Sequence, residues 1–309
     1  MEEDLLLKVA HMYYGLGMTQ EKIAKQLFFS RSRISHLLTE AEEKGYVRFE
    51  VRPMVYQPIN LKNYFFQQFN LHDAIIVEGR YCIGNEIFSE ICRSAADYLA
   101  AQLTNDTVLN VSRGRTMYSI VQNLSPRCPL PGMKVVQTEG LLGTEDPYLE
   151  QTDFVRRIGD AFHCEYYCMM LPYIFDSPQL RDAVLNLPIN HPAVEMADQI
   201  TIICSSLLTL EQWKRWLSED EYKMLGDLGV VGSIQGNFYN QMGEFIDTPL
   251  NNRFIAPSRR VLEQAKQLIC VSTGLYKAQA LLGLLRTGLV HTLITDSMLA
   301  ERVKKLEQK

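Results

Sequence analysis

Three short stretches carry residues whose types and spacing suit anion chemistry. Ser112-Arg113-Gly114-Arg115-Thr116 follows an apolar run and opens a helical pattern. There Gly114 permits close backbone approach, Arg115 adds charge and Thr116 can cap, so exposed N–H groups can cradle a phosphate. The plainer alternative is a tight strand-to-helix connection with a salt-bridging Arg. Ser272-Thr273-Gly274-Leu275-Tyr276-Lys277 repeats the arrangement, with an amine able to reach an anion or a carbonyl. Thr138-Glu139-Gly140-Leu141-Leu142-Gly143 makes a turn flexible enough to lie against a ligand, and Glu139 is the one carboxylate clearly placed in such a turn. Three polar turns together point to a phosphorylated small molecule. Asp296 reads instead as the cap of the last helix.

A fourth constellation suits nucleic acid. Over residues 19–45, Thr19 can cap a short helix whose Ile23, Ala24 and Leu27 face inward. Ser30 can cap a second, with Ile34, Leu37 and Leu38 inward and Gly45 as its left-handed stop. Two capped helices in tandem read as a helix-turn-helix. Thr19 and Gln20 begin the first helix, and Ser30, Arg31, Ser32, Arg33, Ser35 and His36 lie on or beside the exposed face of the second, able to reach bases or phosphates in a major groove. The bland alternative is a helical hairpin whose basic residues only solvate a face. One residue sits badly. The turn commonly holds Gly where this chain has Phe28, and Phe disfavours positive φ. Either the turn is wound differently, or Phe28 and Phe29 pack beneath the first helix under strain.

These residues need elements to position them. The 309 residues predict about two domains, and 47% hydrophobic with 22% charged content is ordinary for a globular chain. The net charge of −5 is unevenly spread. Residues 1–53 hold eight basic and eight acidic side chains, whereas residues 19–38 set Lys22, Lys25, Arg31 and Arg33 against Glu21 alone. A local basic face on an acidic protein suits a regulator that binds particular sites and is repelled by DNA elsewhere. Seven cysteines contain no CxxC pair and no zinc spacing, so buried free thiols and no metal are expected. No leader and no long apolar run is present, which predicts a cytoplasmic protein without a membrane span.

Residues 4–16 predict a supporting helix, and the alternation of 46–51 predicts a strand able to serve as a wing or dimer edge. Pro53 and Pro58 mark the domain boundary. Beyond it, apolar strands at 74–77, 107–111, 134–137, 201–204, 268–271 and 292–294 alternate with amphipathic helices such as 87–103, 116–124, 154–162 and 278–286. The segment holding Cys164 and Cys168 also reads as strand. This alternation predicts an α/β fold with a doubly wound parallel sheet, whose ligands sit outside the strands' carboxyl ends.

The opening LLLKVAHMYYGLGMTQEKIAKQLFFSRSRISHLLTEAEEKGYVRFEV resembles the amino-terminal domain of the SorC family of bacterial sugar-responsive transcriptional regulators. The remainder resembles that family's sugar-binding domain through NVSRGRTMYSIV, VVQTEG, GVVGSIQGNFYNQMGEF, CVSTGLYKAQALLGLLRTGLV and TLITDSMLAERV. The resemblance implies a helix-turn-helix domain over 1–53 and, over 54–309, a Rossmann-like sensor akin to sugar-phosphate isomerases that also oligomerises. It implies a repressor of a sugar-catabolic operon, a homodimer or homotetramer, bound to double-stranded operator DNA and released by a phosphorylated sugar, with no cofactor. An isomerase carrying a DNA-binding appendage is the alternative. By the family pattern Gly114, Arg115 and Thr116 hold the phosphate, Gly140 flanks the sugar, and Gly274 and Lys277 complete the site. Two departures stand out. Ser233 replaces an acid expected to recognise sugar hydroxyls, and Arg113 replaces a small or aromatic residue, which predicts a more basic or smaller pocket.

Overall fold

The computed structural model describes residues 2–47, 58–78, 86–125, 128–143 and 150–308. The chain divides into two compact units, Met1–Met54 and Val55–Lys309.

In the first unit, α1 (Glu2–Ala10) runs into a single π-helical turn at His11–Gly15, followed by α2 (Gln20–Leu27) and α3 (Arg31–Glu43). Leu6 and Val9 of α1, Ile23 and Ala24 of α2, and Ile34, Leu37, Leu38 and Ala41 of α3 form one buried cluster. That is the set the i, i+3, i+4 spacing selects. Both caps form: Thr19 Oγ1 accepts from Lys22 N–H at 3.3 Å and Ser30 Oγ from Arg33 N–H at 3.2 Å. Gly45, with φ +73°, turns the chain out of α3. Phe28 does adopt the left-handed conformation, φ +55°, as its N–H closes α2 on Ala24 O. Its side chain is 94% exposed and Phe29 is exposed too, so the packing expected beneath the first helix is absent. The left-handed turn aims the Phe28 ring outward. Tyr46 and Val47 are not strand, and the rest of the strand expected over 46–51, with Pro53, lies outside the described residues.

The second unit begins with α4 (Ile59–Phe69) and β1 (Asp73–Val77), then α5 (Glu86–Gln102), β2 (Val108–Val111) and α6 (Arg115–Asn123). Next come β3 (Lys134–Val136), α7 (Gln151–Phe162), β4 (Glu165–Tyr167), α8 (Pro178–Leu185), α9 (His191–Ala197) and β5 (Ile202–Ser205). After β6 (Leu208–Thr209), α10 (Glu219–Asp227), β7 (Val230–Ile234) and β8 (Asn237–Asn240), the chain ends in α11 (Arg259–Gln264), β9 (Gln267–Ser272), α12 (Ala278–Arg286), β10 (Thr292–Asp296) and α13 (Ser297–Glu307). Seven strands make one parallel sheet in the order β1-β10-β9-β5-β2-β3-β4. Six were legible as apolar runs; β4, Glu165–Tyr167, is short and largely exposed, and the sequence marked it only as a strand-like segment around Cys164 and Cys168.

The sheet is covered on both faces. In β9, Leu268 and Cys270 join a core with Phe65 of α4, Leu281 of α12 and Leu299 of α13, while Ile269 and Val271 join another with Leu99 of α5, Ile120 of α6 and Phe154 of α7. Successive side chains point to opposite faces, so a strand buried on both must be apolar at every position. Strand order reverses between β2 and β5, which opens a crevice at their carboxyl ends.

A second sheet, antiparallel β6-β7-β8, was not expected. Its short, polar strands give no continuous apolar run, and it is held by a separate aromatic core of Tyr173, Trp213, Phe238 and Phe254. The cysteines also differ from expectation. Cys92, Cys204 and Cys270 are buried, Cys164 and Cys168 are half-buried, Cys128 is exposed, and Cys82 lies outside the described residues.

Phe28→Gly tests the strain at the α2–α3 turn. Glycine adopts φ +55° freely and the lost ring touches little, so the unfolding transition of the first unit should rise by about 1 kcal/mol in thermal melts. A fall would show that the exposed ring contributes stability of its own.

Candidate effector site and DNA-reading face

The turns after β2, β5 and β9 meet in a cavity of about 770 Å³ at the reversal of strand order. Ser112 N–H donates to Cys204 O at 3.0 Å, and Ser112 Oγ accepts from Ser206 N–H at 3.2 Å, which binds the β2 and β5 turns together. Gly114 has φ +105°, a conformation open to glycine, and a Cβ there would meet nothing within 4 Å, so backbone conformation rather than space requires it. As N-cap of α6 it has no side chain with which to satisfy the first-turn N–H groups, which leaves those of Arg115 and Thr116 for an anion. Arg115 is exposed at the rim.

Lys277 enters from the other side. Gly274, φ +98°, starts the short 3-10 turn Leu275–Lys277, which directs the lysine inward. The residue is 6% exposed and its Nζ donates to Ser206 Oγ at 3.2 Å. No carboxylate pairs with it among the described residues. Burial holds this ammonium below the usual lysine range, with the Cys270 thiol opposing weakly.

Arg113 and Glu139 form the floor. Arg113 N–H donates to a Glu139 carboxylate oxygen at 3.1 Å, and its guanidinium lies 3.8 Å from the other. The same guanidinium stacks 3.8 Å over the Tyr173 ring and reaches Gly140 O at 3.4 Å. Arg113 is thus paired and stacked, and among the described lining residues Lys277, Arg115 and Arg215 outnumber the one remaining carboxylate, Glu150.

Three expectations meet a different geometry. Gly140 does not line the cavity: its N–H donates to Ile255 O, and a Cβ there would sit 2.4 Å from Pro172 O. Close backbone packing explains the glycine. The turn over 138–143 is also not pliant where it faces the cavity, because Gln151 Oε1 accepts from the N–H groups of both Thr138 and Glu139 while its Nε2 donates to Val111 O. Ser233, expected to alter hydroxyl recognition, is 1% exposed and its Oγ accepts from Trp213 Nε1 at 2.9 Å, within the aromatic core and off the cavity. Asp296 caps α13 through Leu299 N–H at 2.7 Å and accepts from Thr273, as its spacing indicated.

Tyr173, Ser206, Gln212, Arg215, Trp216 and Gln235 line the cavity without having been singled out in the sequence. Ser206 follows a recognised strand, so the strand-end rule could have found it. Tyr173 comes from the long connection between β4 and α8, and Gln212, Arg215, Trp216 and Gln235 arrive from the antiparallel sheet and its connections, which no strand-end rule reaches.

In the first unit, Arg31, Ser32, Arg33, Ser35 and His36 are exposed along the first two turns of α3. Ser30 Oγ also meets Ser32 Oγ at 3.0 Å; Thr19 is an exposed cap and Gln20 is half-buried. Lys44 draws the Glu40 carboxyl below its usual range, with His36 and Arg33 adding to the same field. Among the described residues no helix is long and apolar enough to cross a membrane, and no cluster of metal-ligating side chains occurs.

The family model described as "Putative sugar-binding domain" matches residues 54–304. The chain is 26% identical to the deoxyribonucleoside regulator of Bacillus subtilis (strain 168), across 96% of this chain and 95% of that protein. It is 24% identical to the sorbitol operon regulator of Klebsiella pneumoniae, across 97% and 98%. The crystal structure of that full-length regulator, SorC, superposes with a TM-score of 0.88 at 22% identity, covering 97% of this chain and 98% of that one. The relatives are named as regulators rather than enzymes, and they match end to end. On that match, and on a sheet that gathers polar turns around an anion-suited cavity, the chain belongs to the SorC family of sugar-responsive transcriptional regulators.

Proposed function

We propose that the cavity binds a phosphorylated sugar and that its occupancy changes the affinity of residues 1–53 for operator DNA. One observation carries this reading: a buried ammonium, Lys277, without a carboxylate partner among the described residues, facing the same cavity as the uncapped first turn of α6. A buried charge without a counter-ion is costly, and a phosphate relieves that cost while accepting from the α6 N–H groups. Gly114, Arg115 and Thr116 with Lys277 and Gly274 form the phosphate end; Ser112, Arg113 and Glu139 face the sugar. The volume of about 770 Å³ lies within the usual range for small-molecule pockets. The names of the relatives point the same way, since they regulate deoxyribonucleoside, sorbitol and erythritol genes.

On the DNA side, Arg31, Ser32, Arg33, Ser35 and His36 enter the major groove, while Thr19, Gln20 and Ser30 approach the backbone. One such reader spans too few base pairs for specificity, so the protein works in the cytoplasm as a homodimer or homotetramer assembled through residues 54–309. A sugar phosphate that favours one arrangement of the oligomer shifts operator affinity by its difference in affinity for the two arrangements. Release of a repressor by effector is the sense we assign.

Arg33→Ala or His36→Ala should weaken operator binding by roughly 1–3 kcal/mol and relax selectivity at one base position, measured by fluorescence anisotropy on operator and random DNA. Equal loss on both DNAs would reduce these side chains to phosphate contacts.

Lys277→Met tests the anion. Between the depressed folded value and the ordinary lysine value the unfolded chain binds more protons than the folded one, so unliganded stability rises with pH through that window. Anion affinity falls through the same window, because it needs the charged amine. Removing the buried charge should therefore stabilise the unliganded protein by roughly 1–3 kcal/mol near neutral pH. It should also abolish stabilisation by glucose 6-phosphate or ribose 5-phosphate in thermal-shift assays. Shifts unchanged from those of the parent would place the phosphate elsewhere.

A further inference from the structure

We infer that Gln235 is a specificity residue of the cavity, one that accepts a hydrogen bond at Oε1 from a hydroxyl group of the effector; this rests on the sugar-phosphate reading above. Gln235 and Gly236 form the two-residue turn between β7 and β8, where Ile234 pairs with Asn237, and both have positive φ, +43° and +77°. Such a turn favours Asn, Asp or Gly at its first position. Glutamine gains nothing there locally, and a non-glycine residue held left-handed is a marker of functional strain. The turn is pinned from two sides: Asn237 Nδ2 donates to Gln235 O at 3.0 Å, and Asn251 Nδ2 to Gly236 O at 3.0 Å.

The direction of the Gln235 amide follows from its neighbours. Asn110 is fully buried on β2, and one of its amide groups lies 3.0 Å from Val136 O, which can only accept. That group is therefore the Asn110 NH₂, which also reaches Thr138 Oγ1 at 2.9 Å. Asn110 Oδ1 then faces Gln235 and accepts from its Nε2 at 2.8 Å. Gln235 must present its nitrogen to Asn110, and its oxygen is left over. Oε1 is buried and has no partner among the described residues, in a residue 5% exposed that lines the cavity with Glu139 and Tyr173.

An acceptor whose direction is fixed through two amides selects a donor. A sugar hydroxyl satisfies it after a small adjustment of the turn; a deoxy carbon leaves it unpaired, and a carbonyl, ring oxygen or second phosphate sets acceptor against acceptor. Glu139 and Glu150, carboxylates on the same cavity, act in the same sense.

The test uses the full chain and isothermal titration with glucose 6-phosphate, fructose 6-phosphate and ribose 5-phosphate, then the monodeoxy analogues of whichever binds tightest. Gln235→Gly removes the acceptor and fits the positive φ. Gln235→Asn, which also tolerates it but is shorter, replaces the glycine variant if near-UV circular dichroism shows that variant misfolded. In the parent, one deoxy analogue should bind at least tenfold more weakly than its hydroxylated counterpart; in the variant the two should agree within about threefold, the non-additivity of a direct contact. Deoxy penalties equal in parent and variant would overturn the assignment of Gln235 and leave the sugar-phosphate reading standing. Failure of all three sugar phosphates to bind the parent would overturn that reading, and this inference with it.

Discussion

Seven parallel strands end on one side of the sheet, and their order reverses between β2 and β5. Connections from neighbouring strands depart to opposite faces there, so the crevice between them is a consequence of topology. Hydrogen bonds from Ser112 to Cys204 and from Ser206 to Ser112 close its base, and Lys277 is tied to the same serine pair. The cavity therefore inherits the rigidity of the sheet. Both faces of that sheet are buried, and strand residues such as Leu268 through Val271 could not shift by one position without exchanging one apolar core for the other.

The antiparallel sheet completes the cavity and rests on different physics. Trp213, Phe238, Phe254 and Tyr173 pack in stacked and edge-to-face pairs with ring centroids 5.1–6.2 Å apart. Trp213 buries its indole N–H by donating it to Ser233, which is why a hydroxyl serves there. Tyr173 belongs to this core and also carries the Arg113 guanidinium on its face, so one ring joins the aromatic core to the cavity floor. Arg113 spends its charge on Glu139 and Tyr173, leaving Lys277, with no carboxylate partner among the described residues, as the buried attraction for an anion.

The first unit is built economically from three helical segments and one small core. Its helix ends are fixed by Thr19 and Ser30, each worth about 1 kcal/mol. The left-handed Phe28 works against them. A unit of this size has little stability to spare, and the pairing of Tyr14 with Glu42 between the π turn and the end of α3 adds a fixed point where the core is thin.

What the sequence determined by itself was everything with a local period or a local conformational demand. Six apolar strands, the i, i+3, i+4 faces of α2 and α3, their Ser and Thr caps, the cap at Asp296 and the glycine turn at Gly114 all follow from residues within a few positions of one another. Strand-end turns placed Arg113, Glu139 and Lys277 together because parallel strands must end on the same side. Tertiary structure decided the rest. Gln235 lies 125 positions from the Asn110 that orients it, Trp213 lies 20 from the Ser233 that accepts its indole hydrogen bond, and Gly140 is required by the Pro172 backbone rather than by a ligand. Such contacts leave no periodic trace, because a hydrogen bond or a close approach across the fold constrains each residue through a neighbour the local sequence does not contain.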